Sequence, residues 1–268
     1  MTDLHHDVCG TGPVLLVVPG GAGHPMGLDG MTDRLTDRFT VVTYDPLGLA
    51  HGHLGRPVTD QRVAHWSEGA RRVLEAVLPE GASAYVLGLS SGGIAALDLL
   101  ARHPERLRHV VAHEPPVVEV LADADRQRAM FAEVCDTYRA AGVKAAGARL
   151  AAGLEGRPAT AGPTEGEPPA LGEELTTPMG IFLTRVLPSF TAYAPDLAAL
   201  KTVSARLTLA AGADSRGGLL HRTATSAAEL TGAAFTEFPG GHIGAVEHPG
   251  EFAERLADVL LSPGVTGS

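Results

Sequence analysis

The residues best suited to chemistry lie between a short apolar strand and a helix-like segment. Residues 86–93 read Val-Leu-Gly-Leu-Ser-Ser-Gly-Gly, and the Gly-x-Ser-x-Gly spacing around Ser90 predicts a strand, a sharp turn and a helix with this serine at the apex. Glycine two residues before and after the serine avoids clashes with the neighbouring strand and helix, because the turn holds the serine in a strained conformation. Ser91 is the competing candidate, but Leu89 stands two residues before it. The pattern therefore favours Ser90 as a nucleophile.

A serine hydroxyl is a weak nucleophile until a base removes its proton, and a neutral imidazole can do this near pH 7. The chain has twelve histidines, and His242 lies in the segment Phe-Pro-Gly-Gly-His, directly after the last predicted strand. This position favours His242 as the base. His24, His51, His53 and His113 also fall near expected loop ends, where they would be substrate contacts or solvated loop residues.

The composition bounds the class of protein. The chain has 268 residues, of which 44% are hydrophobic and 19% charged, and this is typical of a compact globular protein. The net charge of −10 is spread along the chain, so we expect a small-molecule substrate and no nucleic-acid partner. No leader-like or membrane-spanning run is present, which predicts a cytoplasmic protein with no membrane partner. The composition leaves a homodimer open.

Cys9 and Cys135 are the only cysteines, and neither belongs to a Cys-x-x-Cys pair. The sequence therefore predicts two free thiols and neither a disulfide framework nor a zinc site. We expect no metal and no cofactor.

Apolar, β-branched runs recur along the chain and predict strands at residues 14–18, 40–44, 84–87, 108–112, 205–210 and 233–238. Helical spacing lies between most of them, which indicates an α/β fold with a doubly wound, mostly parallel sheet. The alternation breaks once, after the strand that follows the nucleophile helix. We therefore divide the chain into a core (residues 1–114 and 203–262), a helical cap or lid (residues 115–202) and a flexible tail (residues 263–268). Within the cap, a Gly/Pro/Glu-rich segment at residues 156–172 is expected to be mobile.

Four motifs in this order resemble those of the α/β-hydrolase family. They are the Gly-rich loop at residues 19–23, the Asp-x-x-Gly turn at residues 45–48, the elbow at Ser90 and the Gly-His segment at His242. The resemblance implies a serine hydrolase with a catalytic triad and with an oxyanion hole formed by the backbone N–H groups of Gly21 and Ser91. A phosphate cradle is disfavoured at the Gly-rich loop, because neither a P-loop lysine nor full Gly-x-Gly-x-x-Gly spacing is present.

The third member of the triad is open between two residues. The resemblance points to Asp214 in the turn after the strand at 205–210, yet relatives usually carry the acid one residue later, where this chain has Ser215. Some relatives, including certain haloalkane dehalogenases and lipases, carry it after the strand that follows the nucleophile helix, where this chain has Glu114. A buried carboxylate needs a partner such as His242, which favours Glu114 slightly. Glu114 could instead anchor the cap through an arginine, and Asp214 could cap its own turn.

The implied activity is cleavage of an ester, lactone, thioester or amide of a small apolar substrate through an acyl-enzyme on Ser90. An acyltransferase, perhydrolase, lyase or cyclase on the same fold is the alternative, and a non-catalytic ligand-binding receptor is an alternative of another class. An abundance of alanine and of arginine over lysine indicates a bacterial source. The expected substrate contacts are His24, Met130, Phe131 and Phe182, although cap aromatics also serve as cap core.

Overall fold

The computed structural model describes residues 4–25, 27–157, 167–170 and 172–261. The predicted tail at residues 263–268 and part of the segment at 156–172 lie outside these residues. The strands are β1 (His6–Cys9), β2 (Val14–Val18), β3 (Thr40–Tyr44), β4 (Ala84–Leu89), β5 (Leu107–His113), β6 (Leu207–Gly212) and β7 (Ala234–Phe238). Each predicted strand is present, with ends shifted by at most two residues.

The helices alternate with the strands on both sides of a long insertion. They are α1 (Asp29–Thr32), α2 (Val63–Val77), α3 (Ser91–Arg102), α4 (Ala124–Leu154), α5 (Glu173–Thr176), α6 (Pro178–Ile181), α7 (Leu187–Thr191), α8 (Leu197–Thr202), α9 (Leu219–Thr231), α10 (Gly244–Glu247) and α11 (Pro249–Leu261). Short 3₁₀ turns occur at Asp33–Leu35, Pro104–Arg106, Val118–Val120, Ser204–Arg206 and Ala213–Ser215, and π-type turns at Leu49–His53 and Phe182–Val186.

The described strands form one sheet in the order β1-β3-β2-β4-β5-β6-β7. Only β1 runs antiparallel, against β3, and the other neighbouring strands pair in parallel. The doubly wound, mostly parallel fold class is thereby confirmed. Because the carboxyl ends of parallel strands meet at one edge, residues that follow β4, β5, β6 and β7 are brought together there.

The sheet is covered on both faces, which explains why its central strands are apolar throughout. In β2, alternate residues enter two different core clusters. Leu16 belongs to the same cluster as Trp66 of α2 and Ile94 of α3, whereas Leu15 belongs to the cluster that contains Met31 of α1 and Phe252 of α11. A strand buried on both sides cannot alternate apolar and polar residues, and all five residues of β2 are buried.

Between β5 and β6 the chain leaves the sheet and forms α4 to α8, which we call the inserted helices. The longest of them, α4, breaks at Gly142, whose φ is 76° and ψ −175°. A side chain there would also meet the carbonyl oxygen of Glu167 at 2.8 Å. The break lets the two halves of α4 follow different directions. The division of the chain into core and cap domains stays a prediction.

Within the described residues, no helix is both long and apolar enough to cross a membrane. Cys9 is exposed and Cys135 is buried, and both are free thiols, as predicted.

The buried histidine of β5 predicts a loss of stability in mild acid. His109 is 3% exposed, its Nε2 lies 2.8 Å from the Thr208 hydroxyl, and burial lowers its pKa from 6.5 to about 4. Between these two values the unfolded chain takes up a proton that the folded chain does not, so stability falls as the pH drops from 6.5 to 4. Below pH 4 the loss in the free energy of unfolding reaches about 3 kcal/mol.

We expect urea denaturation to give a smaller difference between pH 7 and pH 4 for His109→Gln than for the unsubstituted chain. His65→Asn, at an exposed histidine, is the matched control and should keep the full difference. An unchanged pH dependence in His109→Gln would contradict this assignment.

Candidate active site

Ser90 lies at the turn between β4 and α3, with a strained backbone. Its φ is 52° and its ψ −118°, and its N–H donates to the carbonyl oxygen of His113 at 2.9 Å. A Cβ at Gly88 would lie 2.5 Å from the Gly92 oxygen, and a Cβ at Gly92 would lie 2.1 Å from the Val18 oxygen. Real Cβ atoms do not approach backbone so closely, so both flanking positions require glycine.

The Gly-rich loop after β2 lies directly against the elbow. A Cβ at Gly20 would lie 2.9 Å from the Ser90 Cβ, and the loop is closed by a hydrogen bond from the Gly23 N–H to the Gly20 oxygen at 3.0 Å. Gly21, between them, has a φ of 57° and lines the cavity that also contains Ser90. Ser91 is the first residue of α3. The two backbone groups predicted for an oxyanion hole therefore belong to residues beside Ser90.

Glu114, directly after β5, is paired with His242. The His242 Nδ1 lies 2.8 Å from Glu114 Oε2, and the Gly212 N–H donates to Glu114 Oε1 at 2.9 Å. Glu114 has no exposed surface, whereas His242 retains a side-chain exposure of 32%. This arrangement buries the carboxylate and leaves the imidazole open to the cavity.

The contacts of Glu114 keep its carboxyl group ionised. Burial alone would raise its pKa, but the hydrogen bond from His242 and the charge of this imidazole outweigh burial and lower the pKa from 4.5 to about 2. His113 itself is buried against the rings of Phe238 and Phe252. Burial lowers the pKa of His113 to about 4, so this ring is neutral at pH 7 and is not the solvated loop residue that its position suggested.

Asp214 meets the histidine loop through its backbone. Its N–H donates to the Gly240 oxygen at 3.0 Å, while its side chain is exposed on the 3₁₀ turn Ala213–Ser215. Since Glu114 occupies the Nδ1 side of His242, the structure pairs the histidine with Glu114 and leaves Asp214 as a turn residue.

Ser90 and His242 line one cavity of about 350 Å³, which is at the small end of the range for small-molecule sites. The remaining described lining residues are Pro19, Gly20, Gly21, Ala22, His24, Leu28, Leu89, Leu150, Leu154, Pro178, Met179, Phe182, Ile243, Ala245 and Val246. None of the described lining residues is Asp, Glu, Lys or Arg. Met179, Ile243 and Val246 are large apolar side chains that remain exposed on it. An exposed apolar surface around a cavity is typical of a ligand site.

Of the predicted substrate contacts, His24 and Phe182 line this cavity and Met130 and Phe131 do not. Met130 and Phe131 are 7% and 2% exposed and belong to the main core cluster, and Met130 packs so closely on Gly153 that a Cβ there would lie 2.3 Å from its sulfur. The prediction for these two residues is corrected: they lie in the core, where Met130 packs between the two halves of α4.

Several lining residues were not found from the sequence. Leu150 and Leu154 come from the second half of α4, whose direction depends on the break at Gly142. Ile243 and Val246 follow His242 immediately, and this closeness to the predicted base is the signal that could have identified them. In the described part of the chain, no group of three or more His, Cys, Asp or Glu residues is arranged to hold a metal ion.

The comparisons with known proteins agree with this architecture. A family model for the alpha/beta hydrolase fold matches residues 13–154. The chain is 31% identical over 264 residues to the uncharacterized hydrolase YraK of Bacillus subtilis (strain 168), covering 96% of this chain and 92% of that protein.

Among solved structures, the fold resembles the enol-lactonase from Burkholderia xenovorans LB400, with a TM-score of 0.61, 17% identity and 96% of each chain covered. It also resembles the carboxylesterase CesB from Bacillus subtilis, with a TM-score of 0.60, 16% identity, and 96% of this chain and 87% of that chain covered. At these identities the structural likeness shows the fold alone. The family model matches more than half of this chain, and the Bacillus subtilis hydrolase aligns with almost all of it. The chain therefore belongs to the α/β-hydrolase fold family.

Proposed function

We propose that this protein is a serine hydrolase that cleaves a small, uncharged ester or lactone. The observation that carries the proposal is the 2.8 Å contact between the buried carboxylate of Glu114 and the Nδ1 of His242, in a cavity that also contains Ser90. A carboxylate on one nitrogen fixes the tautomer in which the other nitrogen is unprotonated. His242 can then accept the Ser90 proton through Nε2.

In this mechanism Ser90 Oγ attacks the substrate carbonyl while its proton passes to His242 Nε2. Negative charge develops on the carbonyl oxygen, and the N–H groups of Gly21 and Ser91 stabilise it. Glu114 stabilises the imidazolium that forms, and His242 then protonates the departing alcohol oxygen. A water molecule, deprotonated by His242 Nε2, then attacks the carbonyl carbon of the acyl-enzyme. The bond from this carbon to Ser90 Oγ breaks, the acid leaves, and His242 returns the proton to Ser90 Oγ.

The charge of the cavity supports an uncharged substrate. Because its described lining contains no Asp, Glu, Lys or Arg side chain, a charged substrate would lose its hydration without gaining an ion pair. Two structural neighbours are an enol-lactonase and a carboxylesterase, which is consistent with either a cyclic or an open ester.

Covalent labelling tests the nucleophile. A fluorophosphonate probe should label the folded protein on Ser90, and Ser90→Ala should not be labelled. Ser91→Ala is the matched control at the neighbouring hydroxyl and should retain labelling, since its contribution is a backbone N–H. Peptide mass spectrometry locates the adduct. An unlabelled native protein, or equal labelling of Ser90→Ala, would overturn the proposal.

The acid is tested by Glu114→Gln and Asp214→Asn. Glutamine keeps the shape of Glu114 but cannot stabilise the imidazolium, so kcat should fall about 10²–10⁴-fold. Asp214→Asn should stay within about twofold, because an exposed side chain away from the reacting atoms contributes little. Steady-state kinetics on an activated ester measures both, and circular dichroism checks folding. The reverse order of effects would assign the acid to Asp214.

A pair of esters of similar size tests the substrate class. The kcat/KM for 4-nitrophenyl butanoate should exceed that for 4-nitrophenyl hydrogen succinate by about tenfold or more, because the second carries an acyl carboxylate that the cavity does not pair. Equal rates for the two esters would contradict an uncharged substrate.

A further inference from the structure

A second cavity, of about 860 Å³, is separate from the cavity that contains Ser90. Its described lining comes mainly from the end of β3, the segment 53–61 and α2, and the two cavities share none of their described lining residues. Its volume lies within the range of about 300–1,000 Å³ that is typical of small-molecule sites. The candidate active site leaves this second cavity without a role.

One face of α2 lines the second cavity. Glu68, Gly69 and Arg72 are spaced three and four residues apart along this helix, which places them on the same side. Gly69 is required at its position, because a Cβ there would lie 1.8 Å from the hydroxyl oxygen of Tyr44. The glycine therefore lets Tyr44, at the end of β3, pack directly against α2 where both line the cavity.

The charged side chains of the second cavity favour an anion, although the whole chain has a net charge of −10. The described lining contains two arginines, Arg72 and Arg102, and one carboxylate, Glu68. The charge of Glu68 is already balanced, because Arg71 donates to both of its carboxylate oxygens, at 2.7 and 2.9 Å. Arg102 donates to Asp98 from one nitrogen, Nη1, and a guanidinium group carries five N–H donors.

Apolar and aromatic side chains form much of the remaining lining. Leu47 and Val58 contribute apolar surface, and the rings of His5 and His53 meet edge to face with their centroids 4.4 Å apart. Such a lining can cover the apolar body of a ligand, while the arginines bind an acidic group. The cavity therefore has the chemistry to hold a molecule that is apolar over most of its surface and negatively charged at one end.

We propose that the second cavity is a binding site for a small organic anion with an apolar body and one carboxylate or phosphate group. Arg72 and Arg102 bind the acidic group, because the planar guanidinium fork matches the oxygens of a carboxylate or a phosphate. The site goes beyond the proposed function and does not depend on it, since Ser90, Glu114 and His242 are absent from its described lining.

Trp66 provides a signal for binding. It is the one tryptophan of the chain, it lines the second cavity, and it is 1% exposed. It also packs against the Gly-rich loop, because a Cβ at Gly23 would lie 3.1 Å from Cζ2 and Cη2 of its ring. Its fluorescence can therefore follow ligand entry without an added label, and the experiment must distinguish the second cavity from the one beside the Gly-rich loop.

Fluorescence titration with defined probes tests the site. Hexanoate and hexyl phosphate should each change the Trp66 emission saturably, and hexanamide, which is similar in shape but uncharged, should bind about tenfold or more weakly. Arg72→Gln and Arg102→Gln should each weaken hexanoate binding about tenfold, the size of one hydrogen bond to a charged group. Isothermal titration calorimetry measures the same affinities independently of the fluorescence, and circular dichroism checks folding.

Arg38→Gln is the matched control for the loss of one positive charge. Arg38 is exposed, precedes β3 at the opposite end of the strand from Tyr44, and is absent from the described lining of the second cavity. Its substitution should leave the affinity for hexanoate unchanged.

Blocking the candidate active site separates the two cavities. Hexanoate should still bind to protein whose Ser90 carries a fluorophosphonate adduct, and loss of binding in the adduct would place hexanoate beside Ser90 and overturn the second site. Equal affinities for hexanoate and hexanamide, full affinity in both arginine variants, or no binding by fluorescence and calorimetry would also overturn it. If the probe does not label Ser90, the proposed function fails, while the arginine variants still test the second site.

Discussion

The architecture of the site depends on one constraint, the burial of a charged carboxylate against a half-exposed imidazole. Glu114 has no exposed surface, so each of its oxygens must be satisfied by the protein. The partners come from two places: the end of β6 supplies the Gly212 N–H, and the loop after β7 supplies His242. Parallel strands place the ends of β5, β6 and β7 at one edge, where an antiparallel arrangement would separate them.

Two residues at this edge of the sheet have strained backbone conformations. Among the described residues, Ser90 and Glu114 are the non-glycine residues with a positive φ, at the ends of the adjacent strands β4 and β5. Each such conformation costs about 1–3 kcal/mol and persists only where the surroundings impose it. The hydrogen bonds from the Ser90 N–H to the His113 oxygen and from the Glu114 N–H to the Ala210 oxygen impose it here. A sheet covered on both faces makes that framework rigid.

The polar and apolar parts of the site have separate origins. Ser90, Glu114 and His242 lie at the edge of the sheet, whereas much of the apolar wall comes from α4, α6 and the π-type turn Phe182–Val186. Substitutions in the inserted helices can therefore change the shape of the cavity without disturbing Glu114 and His242. This separation is consistent with one fold supporting many substrates.

The sequence by itself determined the sheet, the elbow and the histidine loop. Apolar runs with β-branched residues specify strands locally, and the glycines around Ser90 are required by contacts within a few residues of the turn, so both leave a short-range signal. Which carboxylate contacts His242 is visible only in the tertiary structure, because Glu114 and Asp214 lie 128 and 28 positions before this histidine in the chain. The residues that line the cavity were also visible only in the tertiary structure, because they come from distant parts of the chain. The break at Gly142 sets the direction of the second half of α4, and this direction turns Leu150 and Leu154 to the cavity while Met130 and Phe131 pack in the core.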